Sequence, residues 1–456
     1  MSQWRIGDRF RKNPAFLLDA QSVQRKFRSH KSRHGQIILV SLRTLLVPVY
    51  MFLSIPPHQL QSLAATHGLP LFVYDAATIK RQVDLLIRAY EVPDLDIRYA
   101  CKALSTIGII RHIHKLGCGI DTVSPTEIIM ALQAGVPPSS ISFTPSGVHT
   151  DEYAFAIEKG VHVHVDQVDI LLWLDRHYPG TSVTLRFNPA VQAGGHAKLQ
   201  VGSEGSKFGI LSGQVEEIAR LTRNLSIQVT GIHMHLGSDV GDSGSFDQAY
   251  DYLLSTAHHW QDTLSRIDLG GGFKIPYHPN DHAIDIVAFG KKVSARFNRF
   301  CEEVGRPLTL VLEPGKFLVS AAGHLLMEVT GVRNHGLVPM AYVSSGFNHF
   351  LRPMSYGAYH HIINLSNLDG DMLHYDVVGY LCETDTFATN RPIAEIRRGD
   401  ILCLMNAGAY GYTMASNYNG RPRPAEVLMH ADGGDELIRR AENMDDLLRT
   451  DLGYHP

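Results

Sequence analysis

The stretch DIRYACKALSTIGIIRHIHKLGCGIDTVS, residues 96–124, decides the architecture. Residues 96–103 read as a strand that is apolar almost throughout, residues 118–124 read as a second, and a helical stretch lies between them. Strand, helix, strand at this spacing is the pattern of a parallel βα unit. Lys102, at the end of the first strand, is either a snorkelling surface residue or a desolvated amine kept for chemistry.

The same rhythm continues along the chain. Further strands are read at ISFTP (141–145), VHVHVD (161–166), SVTLRFNP (182–189), VTGIHMHLGS (229–238), RIDLGGGF (266–273) and TLVLEPG (309–315), eight with the first two. The helices carry their own signals. Ser124 and Glu127 have the spacing of a capping box ahead of IIMALQAG, and Gly135 stops that helix. VDILLWLDRHY and VEEIARLTRNL place apolar residues three and four apart, and IDIVAFGKKVSARFNRFCEEVG is the longest helix, ending at a glycine. Eight strands with helices between them imply a (β/α)8 TIM barrel.

After about residue 317 the pattern changes to short strands with Gly, Asn and Pro turns: HLLMEVTGVRN, AYVSSGF, HYDVVGYLCE, DILCLMNAG and AEVLMHADG. These predict a C-terminal β-sandwich or β-barrel domain at 317–456, behind a barrel at 81–316. Residues 56–80 form an N-terminal segment whose PLFVYD (70–75) is expected to join the β-domain as one more strand. Residues 1–55 are expected to be an extension outside the fold. Residues 1–34 are rich in Arg, Lys and Gln, and IILVSLRTLLVPVYMFLSI (37–55) is interrupted by Arg43 and Pro48, which a spanning helix would tolerate badly. Met51 is the natural start of the globular part.

The 456 residues carry a formal net charge of -3 and give no reason to expect nucleic acid as a partner. Apolar content of 44% and charged content of 19% describe an ordinary globular protein with no membrane association expected. Cys101, Cys118, Cys301, Cys382 and Cys403 are odd in number and show neither a CxxC pair nor zinc spacing. Reduced thiols and a cytoplasmic location are expected, with no metal.

A TIM barrel carries its active site at the C-terminal ends of its strands. Those ends read Lys102; Asp121 and Ser124; Arg186 and Asn188; His233, His235 and Ser238; Gly270, Gly271 and Gly272; and Glu313. The glycine run has no GKS/T after it, so it is no nucleotide P-loop, but it suits the closure of backbone N–H groups around one phosphate. The two histidines are read as pointing to opposite faces of their strand, which makes them a poor chelating pair. One can lie flat on an aromatic ring while Ser238 reaches a phosphate. An aromatic ring with a phosphate, beside a buried lysine and facing a carboxylate, is pyridoxal 5'-phosphate: the lysine forms the Schiff base and the acid keeps the ring nitrogen protonated.

The chain resembles the fold-type III pyridoxal-phosphate decarboxylases, most closely their diaminopimelate branch, from about residue 56 to 430. The motifs are YACKA, DTVSPTE, GGHAKLQVGSEGSKFGI, HMHLGS, GGGF, EPGKF, LRPMSYGAYH, CETDTFA and NAGAYGYTMASNYNGRPRPAEVL, in that order. The resemblance implies Lys102 as the Schiff-base lysine and His235 stacked on the ring. It implies Ser238, Gly270, Gly271, Gly272 and Tyr418 on the phosphate, and Glu313 on the ring nitrogen. Lys316, Arg352, Tyr356, Glu383 and Tyr418 would line the substrate pocket, and Cys382 would return the proton. In the family Cys382 and Glu383 come from the other subunit, which implies a homodimer with shared sites. The implied reaction is decarboxylation of meso-2,6-diaminopimelate to L-lysine and CO2, the last step of lysine biosynthesis.

Arg352 for a distal carboxylate and Glu383 for a distal ammonium suit that substrate. Lys316 stands where the branch usually has arginine, which keeps the charge but loses the bidentate fork. Residues 191–207, with Gly194, Gly195 and Lys207, read as a mobile loop able to cover the site. A decarboxylase for carboxynorspermidine, ornithine or arginine would share the cofactor residues and differ at Arg352 and Glu383. Alanine racemase fits HMHLGS and EPG poorly, and a catalytically dead regulatory relative would be expected to lose Lys102 or Cys382. N-terminal sequencing of the protein from its own host is expected to find a start at Met51, and an intact Met1 would refute that reading.

Overall fold

Parallel strands repeat from residue 94 to 312 because each apolar β-run is followed by an amphipathic helix that covers its outer face. The computed structural model describes residues 53–191, 205–240, 243–278, 281–334 and 336–453. The first strand, β1 (Leu71–Asp75), precedes the barrel. The barrel is built from β2 (Asp94–Ala100), β3 (Gly119–Thr122), β4 (Ile141–Phe143), β5 (His162–Val165) and β6 (Ser182–Asn188). A two-residue β7 (Ile210–Leu211) lies beside the end of β6. The circle continues through β8 (Gln228–Met234), β9 (Arg266–Asp268) and β10 (Thr309–Leu312), and it closes where β10 pairs with β2 and β5 with β6, all in parallel. The eight-stranded barrel expected from sequence is therefore the observed one.

Local chemistry explains the helix starts. The Ser124 hydroxyl accepts from the Glu127 N–H at 3.2 Å, and Glu127 accepts from the Val123 N–H at 2.8 Å, so the reciprocal cap reaches one residue further back than the spacing predicts. Asp285 caps Ile286–Glu303 through the N–H groups of Val287 and Ala288. Asp75 caps Ala76–Ala89, one continuous helix that crosses residue 80, where the sequence reading divided the segments.

The second sheet follows the barrel. Its strands are β11 (Gly323–Arg333), β12 (Met340–Val343), β13 (Ile362–Asn364), β14 (Met372–Val378), β15 (Thr386–Ala394), β16 (Ile401–Leu404), β17 (Ala425–Met429) and β18 (Asp435–Arg439). The main path runs β15-β14-β12-β11-β1-β17-β18, with β16 joining β11 to β13. β1 lies inside this sheet, antiparallel to β11 and parallel to β17. Ile55, read from sequence as part of an extension outside the fold, is buried in this domain's core beside Leu60 and Leu71. Ser54 also contacts His324 at 3.1 Å. The remainder of that extension, residues 1–52, lies outside the described residues, as does most of the 191–207 loop. Among the described residues no helix is long and apolar enough to cross a membrane.

Two strand ends differ from the sequence reading in ways that matter for the site. β2 stops at Ala100, and Cys101–Ala103 forms a single 3-10 turn closed by the Leu104 N–H on the Cys101 carbonyl at 3.0 Å. β8 stops at Met234, so His235 and Ser238 stand on the loop beyond it.

Glu426 ties the β-domain to the barrel. It is fully buried on β17 and accepts from Tyr74 Oη at 2.7 Å, Thr106 Oγ1 at 2.8 Å and Arg439 Nε at 2.5 Å. Burial pushes its carboxyl up, and Arg439, Tyr74 and Thr106 pull it back. Glu426→Ala is expected to destabilise the protein by about 2–4 kcal/mol, because it leaves the buried Tyr74 and Thr106 hydroxyls without their acceptor, while Arg439 can turn to solvent. Urea unfolding followed by circular dichroism measures this, and an unchanged midpoint would refute it.

Candidate active site

The mouth of the barrel holds a cavity of about 410 Å³ that Lys102, Arg186, His233, His235, Ser238 and Glu313 line together. Six of the strand-end residues picked out by sequence thus converge. Tyr410 from the β-domain lines it as well, held by its N–H on the Ala103 carbonyl at 2.8 Å. Sequence reasoning did not assign Tyr410 a role, although it stands in the Gly- and Asn-rich NAGAYGYT turn, where its φ of 54° marks a demanding backbone position.

The turn after β2 puts the Lys102 amine 2.8 Å from Asp121 Oδ2 on β3. Burial works against the charged amine, but Asp121, Tyr410 and Glu313 outweigh it and hold Lys102 protonated well above the ordinary lysine range. Asp121 is buried, and burial together with Glu313 pushes its carboxyl up against the pull of Lys102.

His233 and His235 do not face opposite sides, as read from sequence. His233 near the end of β8 and His235 on the loop just beyond it both line the same cavity. His233 Nε2 lies 3.1 Å from Glu313 Oε2, and both residues are buried. His235 Nδ1 accepts from the Gly271 N–H at 3.2 Å, which leaves the proton of a neutral ring on Nε2. Burial, with Arg186 and Lys102, lowers this imidazole to about 3, so it is neutral near pH 7.

The glycine run is required by close packing. A Cβ on Gly271 would stand 2.1 Å from the Glu313 carbonyl oxygen, and one on Gly272 would stand 2.1 Å from the Gly237 carbonyl oxygen. Gly270 has φ of 65°, and its N–H is taken by Asp268 Oδ1 at 2.8 Å.

Lys316 and Arg352 are also buried nearby. The Lys316 amine lies 2.5 Å from Asp239 Oδ2, and the Arg352 guanidinium sits over the Tyr277 ring at 5.1 Å. Tyr356 ends the short helix Arg352–Tyr356. The other predicted residues form a separate group. Tyr418 Oη donates to Glu383 Oε1 at 2.7 Å, and the Cys382 N–H donates to Asn419 Oδ1 at 3.2 Å. Cys382, Glu383 and Tyr418 are exposed, and none of them lines the Lys102 cavity of its own chain.

A family model for the pyridoxal binding domain of pyridoxal-dependent decarboxylases matches residues 76–320. The diaminopimelate decarboxylase of Methanothermobacter thermautotrophicus is 39% identical over 398 residues, covering 85% of this chain and 92% of that protein. The Escherichia coli diaminopimelate decarboxylase is 35% identical over 408 residues, covering 86% and 95%. A solved diaminopimelate decarboxylase of Helicobacter pylori, complexed with L-lysine, superposes with a TM-score of 0.79 at 28% identity, over 86% of this chain and 98% of that one. The chain belongs to the diaminopimelate decarboxylase family.

Pyridoxal phosphate is the cofactor of this family of decarboxylases, and the residues present fit it. Glu313 Oε1 is buried without a hydrogen-bond partner among the described residues, as a ring nitrogen would require. The glycine turn leaves no room for side chains and offers backbone instead.

Because the folded ionisation of Lys102 lies above the unfolded one, its pair with Asp121 stabilises the fold in full below the ordinary lysine range and is lost only at still higher pH. Asp121→Asn removes that support and leaves burial unopposed by its largest partner. The Lys102 amine of the apoprotein is then expected to react with trinitrobenzenesulfonate at least about tenfold faster at pH 9, read by peptide mapping. Equal rates would show that Asp121 does not hold the proton.

Proposed function

We propose that this chain is a pyridoxal-phosphate-dependent decarboxylase that converts meso-2,6-diaminopimelate to L-lysine and CO2. The observation that carries the reading is one cavity faced by both the Lys102 amine and the unpartnered Glu313 carboxylate oxygen, with Lys316 and Arg352 buried close by. When bound, pyridoxal phosphate supplies an aldehyde that joins amines and a protonated ring that accepts the electron pair left by departing CO2.

The chain's residues supply the rest. Lys102 Nζ would be the amine that holds the cofactor's aldehyde carbon. The Ser238 hydroxyl and the Gly272 N–H would hold the phosphate in the cradle that Gly270 and Gly271 keep open, their own N–H groups being engaged by Asp268 and His235, and His235, neutral, would lie against the ring. Glu313 keeps the ring nitrogen protonated. Arg352, Lys316 and Tyr356 take the distal carboxylate, and Glu383 takes the distal ammonium. Cys382 Sγ returns the proton to the carbon that lost CO2.

Cys382, Glu383 and Tyr418 do their work from a second copy of the chain, in a homodimer whose two sites are shared. Their clustering on an exposed face, away from the Lys102 cavity of their own chain, supports this. Five free cysteines, four of them buried, fit residence in the cytoplasm.

Purified protein with added pyridoxal phosphate is expected to release CO2 from meso-diaminopimelate, with L-lysine as product, and not from ornithine, lysine, arginine or carboxynorspermidine. Release from one of those instead would overturn the substrate. For the shared site, Lys102→Ala and Cys382→Ala proteins, each inactive, are expected to regain about a quarter of wild-type activity when refolded together, since half of random dimers then contain one intact site. No recovery from a mixture shown to form hybrid dimers would refute it.

A further inference from the structure

Glu313 has its two carboxylate oxygens in different situations. Oε2 is in ion-pair contact with His233 Nε2 at 3.1 Å, and Oε1 is buried with no partner among the described residues. The proposed function needs this side chain ionised, yet its surroundings oppose that. It is buried, and two further carboxyls, Asp268 on β9 and Asp121 on β3, stand close enough for ionisation of one to oppose ionisation of the others.

Behind His233 stands a column of imidazoles. His164 on β5 meets the His233 ring edge-on at 5.0 Å, and His162 meets His164 at 5.6 Å while reaching Thr184 Oγ1 at 2.8 Å. Burial keeps His164 and His162 neutral, His162 at about 3. Burial and the neighbouring Glu313, with which its side chain is in hydrogen-bonding contact, push the Asp268 carboxyl up. Lys102 is engaged by Asp121, and Arg186 sits over the Phe208 ring at 4.8 Å. His233 is the basic group in direct contact with Glu313.

We propose that His233 is a positioning residue: it occupies Oε2 of Glu313, supplies the positive charge that keeps the carboxylate ionised, and leaves Oε1 for the cofactor's ring nitrogen. This rests on the reading that Glu313 meets that nitrogen. The direction of the Glu313 ionisation agrees. Burial would raise it, and His233 brings it well below the ordinary carboxylate range. The sequence HMH then assigns different work to its two histidines. His235 touches the cofactor, and His233 acts through Glu313.

The test uses holoenzyme loaded with pyridoxal phosphate carrying 15N in its ring. The ring-nitrogen resonance reports protonation directly, which a merely structural role for His233 would not move. Wild type is expected to show a pyridinium, and His233→Gln is expected to move the resonance toward neutral pyridine, with kcat lowered about 10–100-fold. Glu313→Gln separates the two claims. If Glu313→Gln leaves the resonance in place, the reading of Glu313 fails. If Glu313→Gln moves it and His233→Gln does not, the present proposal fails while that reading stands.

Should His233→Gln not fold, 15N-histidine labelling of the wild-type holoenzyme decides the matter. An imidazolium at His233, assigned from His233→Asn or by proximity to the labelled ring, supports the proposal, and a neutral imidazole overturns it. Elemental analysis of the dialysed holoenzyme adds a last arm. A stoichiometric metal ion held among His164, His233, Asp268 and Glu313, whose polar atoms lie within 4.8 Å of one another, would overturn it too.

Discussion

A carboxylate ionised while buried at the mouth of a closed barrel is the constraint around which the rest of this site is arranged. Glu313 is buried at the end of β10, where burial alone would keep it neutral. Its ionisation therefore depends on a neighbour, and the neighbour must come from another strand, because the adjacent strand β9 contributes Asp268, a second acid. β8 contributes His233. The glycine turn is tied to the same place, since the Glu313 carbonyl occupies the space that a Gly271 side chain would need. The proposed phosphate cradle and the proposed partner of the ring nitrogen thus share one knot of backbone in which neither can shift alone.

The barrel was legible because its period is simple. Each strand is a short β-rich run followed by a helix with its own cap and glycine stop, and these signals are local. The β-domain was legible as a class but not strand by strand. β15, TFATNRPIA, carries Pro392 and an Asn, which argue against a strand, and it survives because it lies at the sheet edge. β18, DELIR, is charged and also an edge strand, so it lacks the alternation that would reveal it. Edge strands gain their order from the neighbour they pair with, and sequence periodicity does not record a neighbour.

The site divides in the same way. Residues proposed to touch a ligand sit at strand ends and in turns, where their types stand out, and Lys102, His235, the glycines and Glu313 are legible on that basis. Residues that act on those residues are less legible. Asp121 and His233 stand out at strand ends but carry no sign of their partners, and Asp239 reads as part of a loop. Their roles exist only as pairings at 2.8, 2.5 and 3.1 Å between different elements. A residue's type shows what it can do, but its partner decides what it does.

Lys316 illustrates the point most sharply. From sequence it was a weaker substitute for an arginine, a point charge in place of a fork. In the fold its amine is already engaged by Asp239, whose own φ of 62° places the carboxylate there from an unusual backbone position. Burial and Arg352 both press Lys316 toward the neutral form, and Asp239 opposes them. An arginine would keep its charge without help, whereas a lysine buried beside a second cation needs a counter-charge to remain a cation. Asp239 is therefore the structural companion of Lys316, and the charge at this wall is set by the pair and not by Lys316 alone.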